Sequence, residues 1–571
     1  MEQMNQKIRQ YSRLIVKAVR EDKITNRKEL NKYKLRIGKQ LGFQEIPSNP
    51  DILSHAKNAN EKINKMLSIK PLRTLSGVAP IAIMTKPISC PHGTCIYCPG
   101  GPKSFFGNVP QSYTGNEPAT MRAINNDYDS YLQTMNRLSQ YYSTAHFPEK
   151  LELIIMGGTF PSFPETYQNE FISGAFQAAN DFSEMFFVKQ KFDANKFNNF
   201  FHTERKEFSP KIKEIFLKKK KNVNVQREHS RNETAKTRIV TMCIETKPDW
   251  SKETHINKML ELGTTRVELG AQSIYNEVLQ YTNRGHTIDD TIEATRLLKD
   301  SGLKVTYHMM PGQPKSNKEK DIAMFKELFE NPDYRPDGLK IYPCMVMPGT
   351  ALAKLFENGK FTPLTTEEAA EIIAEANKYF PEYCRVHRVQ RDIPVKLALG
   401  GIDKNNLRQI AEGKMLEKGI NVRGIRERES GINSGKGINV DYSNIEIKEL
   451  HYEASKGKEV FISIEDNTND LIMGFCRLRM PHKPFRKEFD ETSACIRELH
   501  VFGSQVGLGE HKNESSQHKG YGKQLMETAE QIAVKKFGAK KMLVISGVGA
   551  REYYSKKLGY ARNNAYMEKK I

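Results

Sequence analysis

Between residues 238 and 343 short apolar runs alternate with helices, and that alternation leaves few ways for the chain to fold. Arg238 to Glu245, Thr265 to Leu269, Lys304 to Met309 and Gly338 to Pro343 each have the length and content of a buried strand. His255 to Leu262 ends at Gly263, Thr287 to Ser301 ends at Gly302, and residues 318 to 330 supply a further helix. Strand, helix and strand in this order indicate parallel units, because a parallel neighbour is reached only by a crossover. The earlier runs Val78 to Met84 and Leu151 to Met156 extend the series to six strands. Loops at the carboxyl ends of such strands carry function. Here those ends hold Gly157, Gly158, Glu245, Gln272, His308 and Tyr342. Each alone is compatible with packing or a turn, and it is their recurrence at corresponding places that points to a site. Lys340 lies within a strand, where an inward side chain is a buried ammonium in need of an acidic or ligand partner and an outward one is a solvated edge.

After the first strand comes Cys90-Pro-His-Gly-Thr-Cys95-Ile-Tyr-Cys98-Pro-Gly-Gly, three soft ligands in nine residues. Glycine and proline around them suit a loop wrapped about an inorganic core rather than a helix or strand. Three thiolates suffice for an iron-sulfur cluster and leave one coordination position for an outside ligand. Zinc with a fourth ligand such as His92, or a cysteine-rich loop without metal, are the alternatives.

The chain has 571 residues, too many for one ordinary core, so two or three domains are expected. No run approaches the apolar length that spans a bilayer, and the amino terminus MEQMNQKIRQ lacks a basic stub and apolar core. A cytoplasmic protein without a membrane partner is expected, and eight cysteines in this length do not make a disulfide scaffold. The formal net charge of +20 favours a polyanionic partner, although charge alone does not separate RNA from DNA or from an acidic membrane surface.

Residues 1 to about 70 read as basic helices. Ile8, Tyr11, Ile15 and Ala18 recur at helical spacing, and Lys7, Arg9, Arg13, Lys17, Arg20, Lys28, Lys32 and Arg36 are candidates to contact an RNA backbone. A solvated helix face is the plainer reading of the same charges. From 166 to 188 an amphipathic helix leads into Phe192 to Lys236, which reads as a partly irregular surface excursion with the run Lys218 to Lys221. Residues 350 to 450 read as a connecting region, with His387 to Pro394 as a charged loop.

The last segment, about 451 to 571, has different chemistry. Val460 to Glu465, Leu471 to Arg479 and Ala494 to Val501 alternate as antiparallel strands. Gln517-His518-Lys519-Gly520-Tyr521-Gly522 then opens a helix, and glycines at a helix start present amides to an anion such as a pyrophosphate. Tyr553 and Tyr554 follow in a helix where they would orient a thioester or simply fill the core.

The cysteine spacing resembles that of the radical S-adenosylmethionine (SAM) family, whose open iron chelates the amino and carboxylate groups of SAM. Beyond it, the ordered set YTGNEPATMRA, IMGGTF, IETKPD, TRVELGAQS, NRGH, MPGQP, KIYPCMV, HRVQRDIP, IRELHVFG, QHKGYGKQLM and GAREYYSKKLGY is similar to the elongator catalytic-subunit family, in its stand-alone form. That resemblance implies an α/β chain of four parts: a basic helical tRNA-binding region (1–70), a partial (β/α)6 radical SAM barrel (71–349), a linker (350–450) and a mixed α/β GNAT acetyltransferase domain (451–571). It implies a [4Fe-4S] cluster on Cys90, Cys95 and Cys98, SAM near Gly157, Gly158, Glu245 and Gln272, and acetyl-CoA on residues Gln517 to Gly522. Lys340, Tyr553 and Tyr554 become catalytic candidates. The implied activity forms 5-carboxymethyluridine at wobble uridine 34 of tRNA through a 5'-deoxyadenosyl radical, with an external electron donor and a monomer or homodimer as the assembly.

Relatives often carry linker cysteines that help form a zinc site, whereas Val422 to Glu429 has none, so linker zinc is not expected. Lys247 stands where an arginine is common, keeping the charge without the planar fork. Two other functions stay open: a protein lysine acetyltransferase with a structural cluster, and a nonenzymatic RNA-binding scaffold.

Overall fold

The computed structural model describes residues 2–56, 60–68, 77–201, 207–502 and 520–571. Its centre is a parallel sheet whose spatial order follows the chain: β1 (Val78–Met84), β2 (Lys150–Met156), β3 (Arg238–Thr246), β4 (Arg266–Gln272), β5 (Lys304–Met309), β6 (Gly338–Ile341) and β7 (Arg385–Val389). Crossovers of one hand add each strand to the same edge, so the sheet curls into a partial barrel. Buried Ile81, Ile83, Leu151, Leu153, Ile155, Val267 and Leu269 pack its strands against helices such as Ser130–Ser143 and Glu165–Phe186.

Six strands coincide with the sequence reading, and β7 is an addition. His387 and Arg388 belong to this strand rather than to a connecting loop. An edge strand tolerates charge: Arg385 reaches Glu429 at 2.7 Å and Arg388 reaches Asp392 at 2.6 Å.

The stretch after residue 186 is also more ordered than its composition suggests. Helices Ala194–Phe201 and Val225–Asn232 fold back on Glu165–Phe186, and Pro210–Lys219 packs against Ser130–Ser143. Rings of Phe182, Phe186, Phe197, Phe201 and Phe216 follow one another at centroid separations of 4.9, 5.3, 4.8 and 6.1 Å, so aromatic burial closes this segment.

The carboxyl-terminal sheet comprises β8 (Ile445–Ala454), β9 (Gly457–Asp466), β10 (Leu471–Met480), β11 (Ser493–Val501), β12 (Lys541–Ile545), β13 (Ala561–Asn563) and β14 (Tyr566–Lys570), in the order β8-β9-β10-β11-β12-β14-β13. All its pairs are antiparallel except β11 with β12, which are bridged by the helix Tyr521–Phe537 as a parallel pair requires. That helix buries Leu525, Met526, Ala529 and Ala533 on one face of the sheet. The opposite face joins the barrel core through Phe461, Phe475, Leu543 and Tyr566.

This second sheet docks on the amino-terminal ends of the barrel strands. Arg497 clasps Asp337 just before β6, Arg479 holds Asp300 at 2.6 Å, and Lys304 at the start of β5 holds Glu498 at 3.1 Å. A side chain at Gly302 would place its Cβ 2.8 Å from Cys495 Sγ, so the approach is as close as glycine permits. Arg423 bonds Glu382 at 2.8 Å and Asp470 at 3.1 Å, and Arg428 reaches Glu465 and Asp470.

Four helices precede the barrel: α1 (Glu2–Arg20), α2 (Arg27–Gln40), α3 (Asn49–His55) and α4 (Glu61–Leu67). They close a small core of their own around Tyr11, Ile15, Val19, Leu30, Ile52 and Ile63. Among the described residues no helix is long and apolar enough to cross a membrane.

Candidate active site

The cysteine loop follows β1 at the carboxyl-terminal face of the barrel, opposite the face that receives the second sheet. Its backbone is pinned from two sides: Ile96 N–H donates to Thr282 O at 3.1 Å, and Leu352 N–H donates to Ile96 O at 2.8 Å. Asn283 Nδ2 donates to Thr94 O at 2.9 Å, and Gly285, at φ +74, would set a Cβ 2.6 Å from the Cβ of His92. Cys95 and Cys98 are buried and Cys90 is half-buried.

Polar side chains converge on the sulfurs. Arg284 Nη1 lies 3.6 Å from Cys95 Sγ, Gln111 Nε2 lies 3.4 Å from Cys98 Sγ, and His92 Nε2 lies 3.3 Å from Cys95 Sγ. Burial, then the neighbouring charge of Cys98, pushes the Cys90 thiol up to about 11, so an uncompensated thiolate is disfavoured there. A thiophilic cation is the natural compensation.

Three free thiols gathered on one loop match the soft donor set of an iron-sulfur cluster, which leaves one coordination position for an outside ligand. Deeper in the barrel, Glu245, Glu268 and His308 bring three potential ligand atoms within 4.8 Å of one another.

Around the thiols lie groups suited to a polar ligand. Gly157 and Gly158, at φ +113 and +82, follow β2, where a Cβ on Gly157 would collide with Thr85. Gln272 ends β4 at φ +68, a conformation uncommon outside glycine. Its Oε1, the Oε1 of Gln313 and Thr246 Oγ1 are buried without a protein partner, as expected of groups awaiting a bound molecule.

Deeper in the lumen, parallel register sets Glu245 opposite Glu268 and His308 opposite Lys340. Lys340 is turned inward: its Nζ lies 3.1 Å from Glu245 Oε1 and bonds Glu268, whose Oε2 lies 2.8 Å from His308 Nε2. Burial pulls the lysine toward neutrality, but Glu268 and then Glu245 more than offset it and hold its pKa well above the usual value. Tyr113 Oη donates to Glu245 at 2.9 Å, and Ser112 beside it lies 3.9 Å from Cys98 Sγ, joining this array to the cysteine loop.

In the second sheet, Gly520 at φ +81 begins the helix Tyr521–Phe537, and no described side chain caps that end. A Cβ on Gly522 would lie 2.7 Å from Tyr553 Oη, so the helix start and that tyrosine face each other. Tyr553 is 37% exposed, Tyr521 is half-buried, and Tyr554 is buried with its ring centroid 5.5 Å from that of Tyr553. Gln517, His518 and Lys519 lie outside the described residues. On α1 and α2, Arg9, Arg13, Lys17, Arg20, Lys28, Lys32 and Arg36 are exposed, whereas Lys7 is tied to Gly42 O at 2.9 Å.

Arg284 and Glu268 are among the site residues that sequence reasoning missed, with Gln111, Thr246 and Gln313. Glu268 sits in a strand that reads as buried, where only register reveals its partners. Arg284 was visible solely as part of the NRGH stretch.

Residues 88–328 match the Radical SAM superfamily and 336–417 the Radical_SAM C-terminal domain, while 437–560 match the Acetyltransferase (GNAT) family and 8–75 the ELP3 N-terminal domain. Fold and site thus define an enzyme that fuses a radical SAM barrel to a GNAT acetyltransferase domain. A tRNA uridine(34) acetyltransferase from Methanocaldococcus infernus is 46% identical over 563 residues, covering 98% of each chain. Elongator complex protein 3 of Saccharomyces cerevisiae is 38% identical over 551 residues, covering 95% of this chain and 92% of that one. The solved structure of the archaeal Methanocaldococcus infernus Elp3 with an N-terminal deletion (1–46) superposes with a TM-score of 0.71 at 42% identity, covering 87% of this chain and all of that one. The chain belongs to the Elp3 family of radical SAM and GNAT fusion proteins.

Proposed function

We propose that this enzyme modifies the wobble uridine of tRNA, replacing the hydrogen at C5 of U34 by a carboxymethyl group drawn from acetyl-CoA. The relatives named for action on tRNA uridine(34) align over nearly the whole chain, which supports the substrate. The carboxymethyl product rests on the observation that one chain holds both a loop of three free thiols at the barrel's carboxyl-terminal face and a helix start suited to a pyrophosphate.

Cys90, Cys95 and Cys98 would hold a [4Fe-4S] cluster, which when bound with SAM supplies a 5'-deoxyadenosyl radical able to take a hydrogen atom from the acetyl methyl group. The protein's own residues do the positioning. Gly157 and Gly158 give backbone access to the ligand, and Gln272 and Gln313 offer it unpaired carbonyl oxygens. Gly520, Tyr521 and Gly522 present amides to the coenzyme, with Tyr553 at the thioester end and Tyr554 as its buried support. Lys340, held as an ammonium, places positive charge in the lumen where a carbonyl oxygen of acetyl group or base would gain from it. The exposed basic residues of α1 and α2 supply sequence-independent contacts to the RNA backbone.

The test is anaerobic incubation of the reconstituted protein with reductant, SAM, acetyl-CoA and tRNA bearing U34, followed by mass spectrometry. The reading expects 5'-deoxyadenosine together with a carboxymethylated uridine. Acetylated lysine as the sole product would overturn it.

A further inference from the structure

The array of Glu245, Glu268, His308 and Lys340 holds three potential metal-ligand atoms within 4.8 Å of one another, yet it is poorly suited to a divalent ion. The Lys340 ammonium already bonds both carboxylates and neutralises the charge that would attract one. Proton handling is the chemistry left to these residues, and most of them are unable to accept a proton. Lys340 is held charged, and the guanidinium groups of Arg266 and Arg388 have no acceptor. Glu268 is driven up by burial, but the charges of Lys340 and Arg266 and the hydrogen bond to His308 outweigh this and keep it ionised; its Oε2 bonds Lys340 and His308, and its Oε1 lies 3.1 Å from the Arg266 guanidinium. Glu245 is committed to Lys340 and Tyr113. Burial pushes the phenols of Tyr113 and Tyr342 up, and the buried His387 faces the cations Arg266 and Arg385.

His308 differs from all of them. Because ionised Glu268 accepts from Nε2 at 2.8 Å, the neutral imidazole carries its proton there and its lone pair on Nδ1. Nδ1 has no partner among the described residues, and 12% of the side chain is accessible.

We propose that His308 accepts the proton that leaves C5 of the target uridine, with Glu268 as the positioning residue behind it. This rests on the carboxymethylation reading above. The acetyl-derived carbon radical forms the new bond at C5 and leaves an unpaired electron at C6. Restoring the C5–C6 double bond requires the loss of one electron, which an acceptor of the iron-sulfur class would take up in return for the one it would supply at the outset, and of one proton, which passes to Nδ1. No net oxidant is consumed.

The holoenzymes of H308Q and H308N are compared with the parent on tRNA carrying ordinary or 5-deuterated U34. Modified uridine is expected to fall about 100-fold or more, as for removal of a general base, while 5'-deoxyadenosine formed per modified base rises. Deuterium at C5 should then slow both variants more than the parent, and added imidazole should restore part of the yield in H308G. A parent-like ratio of modified base to deoxyadenosine in either variant overturns the proposal. So does loss of both products together without imidazole rescue, which marks a structural role. A parent enzyme that makes neither product removes the underlying reading, and this proposal with it.

Discussion

Arg497 grips Asp337 through two hydrogen bonds of 2.8 and 2.7 Å, joining β11 of the acetyltransferase-like sheet to the residue that precedes β6 of the barrel. Both side chains are buried, and Arg497 also bonds Glu459 at 2.8 Å. Removing one partner of such a pair strands a charge at a cost of ~3–5 kcal/mol. Arg497→Met should therefore lower stability in urea unfolding by that order. Adding Asp337→Leu should cost less than the two single changes summed, because the carboxylate is then no longer stranded.

Asp321 gives a pH signature. Burial pushes its carboxyl up to about 6, against the hydrogen bonds it accepts from Ser316 Oγ and Gly312 N–H, each at 2.7 Å. The folded chain thus binds a proton between pH ~4 and ~6 that the unfolded chain has released. The stabilisation is complete below about pH 4 and is lost as pH rises through 6, a change of ~3 kcal/mol. Asp321→Asn should remove that contribution from the stability profile between pH 4 and 6, measured by denaturant unfolding at each pH.

At the coenzyme site the contact between Gly522 and Tyr553 sets the prediction. A Cβ at position 522 would fall 2.7 Å from Tyr553 Oη, so the ring or the helix start must shift. Gly522→Val should weaken acetyl-CoA binding roughly tenfold or more by calorimetry, while leaving the iron-sulfur absorption unchanged. Unaltered affinity would mean that the coenzyme does not use this helix start.

Arg284 places a cation 3.6 Å from Cys95 Sγ in a buried setting. Positive charge beside a cluster favours its more negative, reduced form. Arg284→Gln should lower the midpoint potential on the order of 50–100 mV, by the Coulomb estimate for a partly buried charge, with iron content preserved. Potentiometric titration followed by paramagnetic resonance measures it.

Some of this architecture was legible because local and global signals agree. Val78–Met84 and Lys304–Met309 are apolar runs bounded by loops, and Gly263 and Gly302, both at positive φ, end helices where the sequence places the stops. The inward turn of Lys340 was one of two open readings, and its partner Glu268 was not foreseen, because register across adjacent strands is a tertiary property. Arg477, Arg479 and Arg497 sit in strands that read as ordinary antiparallel pairs; only the docked barrel supplies Asp300 and Asp337 and makes their burial tolerable. The helices between Ala194 and Asn232 escaped notice because charged residues outnumber the phenylalanines that pack them.

The iron-sulfur assignment is tested most directly by paramagnetic resonance of the anaerobically reconstituted, reduced protein, with metal analysis on the same sample. The account predicts iron and sulfide in cluster stoichiometry, a signal whose shape changes when SAM is added, and loss of both iron and signal in Cys95→Ala. Stoichiometric zinc without iron, or an unchanged signal in Cys95→Ala, would contradict it.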